Sequence, residues 1–188
     1  MKGCRPLTDI EIESVMTKLE TTRDKTLFQV GLNCGFRISE ILSLKISDVI
    51  RNGKIMDSVS VERKYMKRKQ EGRTVLLNQK AKNALQALVI EMGNASSDSF
   101  LFKSAKGFNK PLTRIGAWCA LKKGFDAAKL DGKVATHSMR KTFAAKIYEK
   151  LNGDLLGVQK ALAQKNYNST LAYLSFKQDK VDDAIMSL

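Results

Sequence analysis

Apolar positions recur at helical spacing along most of the chain and alternate only in a middle stretch. Thr8 followed by Glu11 forms a capping-box pattern, and Ile10, Val15 and Leu19 begin a helical rhythm behind it. The spacing predicts a second helix over 22–34, with Leu27, Val30 and Leu32 apolar and Gly35 as its stop. Residues 36–44 restart as a short helix, which sets Arg37 at a helix junction. Asp48-Val49-Ile50 has β character and leads into a turn at Arg51-Asn52-Gly53-Lys54. Val59 and Val61 share one face of a following strand, and Thr74-Val75-Leu76-Leu77 makes a third. Helices resume over 79–92, where Ala84, Leu85, Leu88 and Val89 fall on one face, then over 113–129 and 137–151. Asp154 caps a helix reaching Gln164, and Asn168 or Ser169 caps a short one through Tyr173. The order predicts an α+β, mainly helical fold: a small three-stranded antiparallel sheet packed with a helical bundle. The one linker-like stretch, Asn94 to Ser99, is too short to separate domains, so a single domain over 1–188 is expected.

Charge changes the picture. Thirty-three lysines and arginines against 19 acidic residues leave a formal net charge of +14 on 188 residues. Such an excess on a chain with 43% hydrophobic residues points to a folded partner of a polyanion, nucleic acid first. A membrane surface and the ribosome are rival partners, and a solvated basic surface is the bland reading. With 7% aromatic residues, a base-stacking platform is disfavoured. No apolar run approaches the roughly 18 residues of a membrane span, and no signal-peptide core follows Met1. Cys4, Cys34 and Cys119 are odd in number and widely spaced, which suits a reducing, cytoplasmic setting without disulfides or structural zinc. The basic residues concentrate over 62–73, six against two acidic ones, at the expected hairpin between the last two strands.

Candidate chemistry begins at His137-Ser138-Met139-Arg140. Positions i and i+3 share a helix face, so an imidazole and a guanidinium can address one anion. His137 is the only histidine and falls at a predicted helix N-terminus, where backbone N–H groups favour phosphate. Gly31-Leu32-Asn33-Cys34-Gly35-Phe36-Arg37-Ile38-Ser39-Glu40-Ile41-Leu42 resembles the first arginine box of the tyrosine recombinases, the phage integrases and their relatives. Thr136-His137-Ser138-Met139-Arg140 resembles their second box, and residues 163–173 resemble the segment that ends in the nucleophilic tyrosine. Arg5-Pro6-Leu7-Thr8 is similar to the usual opening of that catalytic domain, and the basic hairpin falls where the family carries a lysine.

The resemblance implies the family's catalytic-domain fold and a site-specific DNA recombinase, or integrase, working on double-stranded DNA. A tyrosine hydroxyl attacks a phosphodiester, giving a 3′-phosphotyrosyl intermediate, with no metal, cofactor or small-molecule substrate. Arg37 and Arg140 are implied as phosphate clamps, His137 as a positioning and proton-handling group, and Tyr173 as nucleophile. Tyr173 lies 33 residues beyond Arg140, the spacing typical of the family. Tyr65 falls in the hairpin, Tyr148 among apolar helix neighbours, and Tyr167 where an aliphatic residue is usual. The hairpin lysine that protonates the departing oxygen is taken as Lys67, with Lys69 second. Counting back from Arg73-Thr74-Val75 lands on Arg68, which implies a one-residue insertion. The alternative is that Lys64, Lys67 and Lys69 all make nonspecific phosphate contacts. Gln164 stands where the family usually has histidine or tryptophan; its amide donates a hydrogen bond but moves no proton, so slower cleavage is expected. Glu40 reads as structural, pairing with Arg37 or a helix N-terminus.

Family members typically carry a helical DNA-clamping domain before this one, so the chain is either a fragment or a short natural member. Its tail, 179–188, either passes to a neighbouring protomer in a cyclic homo-tetramer on DNA or folds back on its own domain, leaving a monomer in isolation. Two other functions stay open: a DNA-binding homologue with weak or no catalysis, and a type IB topoisomerase-like enzyme.

Overall fold

The computed structural model describes residues 3–61, 73–164, 166–171, 174 and 185–186. They divide into two compact units, Met1–Phe143 and Ala144–Leu188.

In the first unit, α1 (Asp9–Lys18) starts at the expected capping box: Glu11 N–H donates to Thr8 Oγ1 (3.3 Å) and Thr8 N–H to Glu11 Oε2 (2.8 Å). Helix α2 (Thr22–Cys34) is capped by Thr21, whose hydroxyl accepts from Asp24 N–H (3.1 Å), and ends at Gly35 with φ 60°. The left-handed conformation there is what a glycine supplies at little cost. A short gap separates it from α3 (Ile38–Leu42), with Arg37 as the N-cap.

The strand expected from Asp48 begins later. Residues 46–49 form one helical turn, α4 (Ile46–Val49), closed by Lys45 N–H donating to Asp48 Oδ2 (2.8 Å). Strands β1 (Ile50–Arg51) and β2 (Lys54–Ile55) then pair antiparallel across Asn52-Gly53, both at positive φ. Strands β3 (Ser58–Val61) and β4 (Arg73–Leu76) form a second antiparallel ladder, Val59 opposite Val75 and Val61 opposite Arg73. Where the pattern predicted one three-stranded sheet, the described residues thus hold two two-stranded ladders. The reason lies between them: Met56 N–H donates back to Val49 O (2.9 Å) and Leu77 N–H to Asp57 O (2.8 Å), so the chain turns before β3. The basic run over 62–72 lies outside the described residues.

Helix α5 (Gln79–Met92), capped by Asn78, buries Ala81, Leu85 and Leu88 against α2. Helix α6 (Arg114–Ala127) is capped by Thr113 and buries Ala117, Leu121 and Phe125. Phe28 of α2 meets Phe125 edge-on, ring centroids 6.0 Å apart. Phe28, Leu27, Val30 and Leu121 are fully buried, each contributing about 1.5–3 kcal/mol of apolar burial. Helix α2 is therefore the spine, and whatever follows its C-terminus inherits a rigid support.

Helix α7 (Thr136–Lys150) carries His137 and Arg140 in its first turns. Its approach to α2 requires two glycines. A Cβ at Gly31 would lie 2.5 Å from Met139 Sδ, and one at Gly35 would lie 2.4 Å from Phe143 Cδ1. The N-terminal segment is tied to the same helix, Leu7 N–H donating to Thr142 Oγ1 (2.8 Å), which itself donates to Ser138 O (2.9 Å).

The second unit contains α8 (Leu155–Ala161), capped by Asp154 as expected, and α9 (Tyr167–Leu171). Helix α9 starts earlier than predicted, because Asn166, not Asn168 or Ser169, provides the cap: its Oδ1 accepts from Asn168 N–H (2.8 Å). Of the tail, only 185–186 are described. Among the described residues, no helix is long and apolar enough to cross a membrane.

Candidate active site

The site is built on the gap between α2 and α3. Arg37 N–H donates to Glu40 Oε2 (2.7 Å) and Arg37 Nη1 to Glu40 Oε1 (3.0 Å), so one buried carboxylate caps α3 and holds the arginine that precedes it. Both structural roles anticipated for Glu40 are thus combined. Arg73, the first residue of β4, donates through Nη2 to the same carboxylate (3.3 Å) and to Gly35 O (3.1 Å). Its guanidinium carbon also lies 5.3 Å from the centre of the Phe36 ring. Arg140, 1% exposed, donates through Nη1 to the Gly35 carbonyl. A helix C-terminus is electronegative, and here it receives two guanidinium groups at once.

His137 presents an exposed face beside these cations. Loss of water around the ring holds its pKa below the ordinary 6.5, and the charges of Arg140, Lys141 and Arg37 act in the same direction. The imidazole is therefore neutral at pH 7, able to accept a proton. Arg37 and Arg73 share one carboxylate, Glu40, while Arg140 reaches the Gly35 carbonyl and Lys141, buried, acts with Arg37 and Arg140 on His137, so cations outnumber carboxylates here. An arrangement so unbalanced suits an anion, and the planar forks of arginine suit the paired oxygens of a phosphodiester. Cys34, next to this cluster in sequence, is no rival nucleophile: burial pushes its thiol up to about 12.

Of the sequence-predicted residues, Arg37, His137 and Arg140 come together within the first unit. Gln164 lies in the second unit, where its Oε1 accepts from Thr170 Oγ1 (2.8 Å), orienting the amide. Lys67, with Lys64, Arg68 and Lys69, and Tyr173 lie outside the described residues, as does Tyr65. Tyr148 stands in α7 with its hydroxyl against Gly153, and Tyr167 opens α9. The sequence reading missed Lys141 and Arg73. Lys141 was detectable as the residue one turn beyond His137 on the same helix face. Arg73 offered no periodic signal.

The phage integrase family model matches residues 5–179, nearly the whole chain. The chain belongs to the phage integrase family. This integrase-family chain is similar to the probable integrase/recombinase YoeC of Bacillus subtilis (strain 168), 29% identical over 157 residues, covering 84% of this chain and 80% of that protein. It is similar to the tyrosine recombinase XerD of Staphylococcus saprophyticus, 28% identical over 189 residues, covering 94% of this chain and 61% of that one. Among solved structures, XerH site-specific recombinase bound to palindromic difH substrate, a post-cleavage complex, superimposes with a TM-score of 0.75 at 25% identity, covering 96% of this chain and 51% of that chain. XerA recombinase gives a TM-score of 0.78 at 20% identity, covering 97% and 65%, which shows a shared fold. The chain thus spans about three fifths of XerD and half of XerH. The fold class and family expected from the sequence are both met: this is a tyrosine recombinase catalytic domain, mainly helical with small antiparallel sheets.

Proposed function

We propose that this domain cleaves and rejoins double-stranded DNA at specific sites, through a 3′-phosphotyrosyl intermediate on Tyr173. The observation that carries the reading is the meeting of Arg37, from the gap behind α2, with His137 and Arg140 of α7 around one cationic centre in an integrase-family chain. The hydroxyl oxygen of Tyr173 attacks phosphorus, and the bond from phosphorus to the 5′-oxygen breaks. The phenolic proton passes to neutral His137, directly or through water, and Lys67 protonates the departing 5′-oxygen. Arg37 and Arg140 hold the non-bridging oxygens and stabilise their growing charge, a role worth about 3 kcal/mol or more per donor by analogy with other preorganised donors. Gln164, its carbonyl oxygen already engaged by Thr170, offers its amide N–H to the same phosphate. On DNA the family's assembly is a cyclic tetramer, and this domain is proposed to join one.

Gln164 also supports a second reading, in which the domain binds DNA but cleaves it slowly, since an amide moves no proton. One experiment separates the two. A pool of nicked duplexes of varied sequence is incubated with wild type and with Tyr173→Phe, and covalent protein–DNA adducts are resolved on a denaturing gel. Adduct with wild type and none with Tyr173→Phe is expected. Adduct that persists in the variant removes Tyr173 from its role, and no adduct on any duplex leaves binding alone.

A further inference from the structure

We propose that Arg73 is a positioning residue of the phosphate clamp, a strut from β4 that holds Arg37 and Arg140 in register. The inference rests on the reading of those two arginines as phosphate ligands. Arg37 stands in a short non-helical gap, its backbone held on the α3 side alone: its carbonyl accepts from Glu40 and Ile41 N–H (2.9 and 3.1 Å) and its N–H donates to Glu40 Oε2 (2.7 Å). Arg73 touches that gap at three places. Its Nη2 reaches Gly35 O before Arg37 and Glu40 Oε2 after it, and its guanidinium lies over the Phe36 ring. Only a planar fork spans a carbonyl, a carboxylate and a ring in this way; an ammonium is a point donor on a flexible stem.

The two shared acceptors make the strut act on both clamps. Through Glu40, Arg73 fixes the carboxylate that sets the Arg37 guanidinium. Through Gly35, it helps fix the carbonyl that receives Arg140. Like charges crowd around that carbonyl, and Glu40 offsets them, so losing Arg73 changes the balance and lets both clamps settle elsewhere. Arg73 is itself nearly buried, its side chain 11% exposed, which suits support rather than contact with DNA.

His137 makes the effect measurable without any DNA. As the only histidine, it gives one imidazole signal in proton NMR. Arg140, Lys141 and Arg37 act on its charge, and Arg73 shares acceptors with two of them, Glu40 with Arg37 and Gly35 O with Arg140. The experiment compares Arg73→Met and Arg73→Lys with wild type in two readouts: the His137 titration midpoint of the folded protein, and the rate of adduct formation at saturating nicked duplex. In Arg73→Met the midpoint is expected to rise toward 6.5, as the arginines drift from the ring. The saturating rate is expected to fall about 10- to 100-fold, the scale of an ångström-sized misplacement, with the half-saturating DNA concentration little changed. Arg73→Lys, which keeps bulk and charge and folds even where the methionine variant does not, is expected to fall between. A merely structural role lowers stability and leaves midpoint and saturating rate as in wild type; that outcome in either folded variant overturns the proposal. If wild type forms no adduct, the recombinase reading fails by itself, and the midpoint alone decides on Arg73.

Discussion

The carbonyl of Gly35 and the guanidinium of Arg140 are joined across 105 residues of sequence. That contact needs a left-handed residue at the end of α2 and an open approach for α7, and only glycine meets both demands. In Gly35→Ala, the new methyl meets Phe143 and the φ of 60° becomes strained. Denaturant unfolding should show a loss of at least about 2 kcal/mol, and adduct formation should be abolished with it.

Glu40→Gln keeps the shape and removes the charge that Arg37 and Arg73 share. A charge-assisted hydrogen bond at a buried carboxylate is worth about 1.5–3 kcal/mol, discounted here because Arg37 is partly exposed. A stability loss of about 2 kcal/mol is expected, with Glu40→Asp recovering only part of it. Equal stability of wild type and Glu40→Gln would show that the carboxylate holds nothing in place.

The single His137 signal should titrate below 6.5 in the free protein. Because the folded pKa lies below the unfolded one, the unfolded chain binds more protons in that window. Stability is therefore complete above 6.5 and falls as pH drops through the folded value. Lys141→Gln, which removes one of the three charges, should move the midpoint upward. A midpoint at or above 6.5 in wild type would contradict the packed cationic site.

In the N-terminal segment, Arg5 donates to both oxygens of Glu11 and holds the carboxyl's pKa at about 2 against an ordinary 4.5. A depressed carboxylate stabilises the fold above its unfolded pKa and loses that contribution as pH falls toward 2. Unfolding of wild type and Arg5→Met, compared at pH 7 and pH 3, should show a gap that narrows in acid. Solvent screening of this partly exposed pair keeps the gap to about 1 kcal/mol.

Much of this fold is legible from local signals. Thr21 and Gly35 bracket α2, and Asn78 and Gly93 bracket α5, so the boundaries read from the sequence coincide with those observed. Helix α4 was missed because a single turn held by Asp48 lies below the length at which periodicity speaks. The two ladders were merged because the turn-back at Met56 and Asp57 depends on hydrogen bonds to distant residues. In the site, Arg37, His137 and Arg140 were marked by motif spacing. Arg73 was not, since its role arises only when β4 packs beside the end of α2, and no residue near it in sequence announces that meeting.

The hydroxyl of Thr142 links the backbone at Leu7 to Ser138, within a turn of both His137 and Arg140. Tension on the segment before α1 is thereby delivered to the helix that carries His137 and Arg140, over a path of two hydrogen bonds.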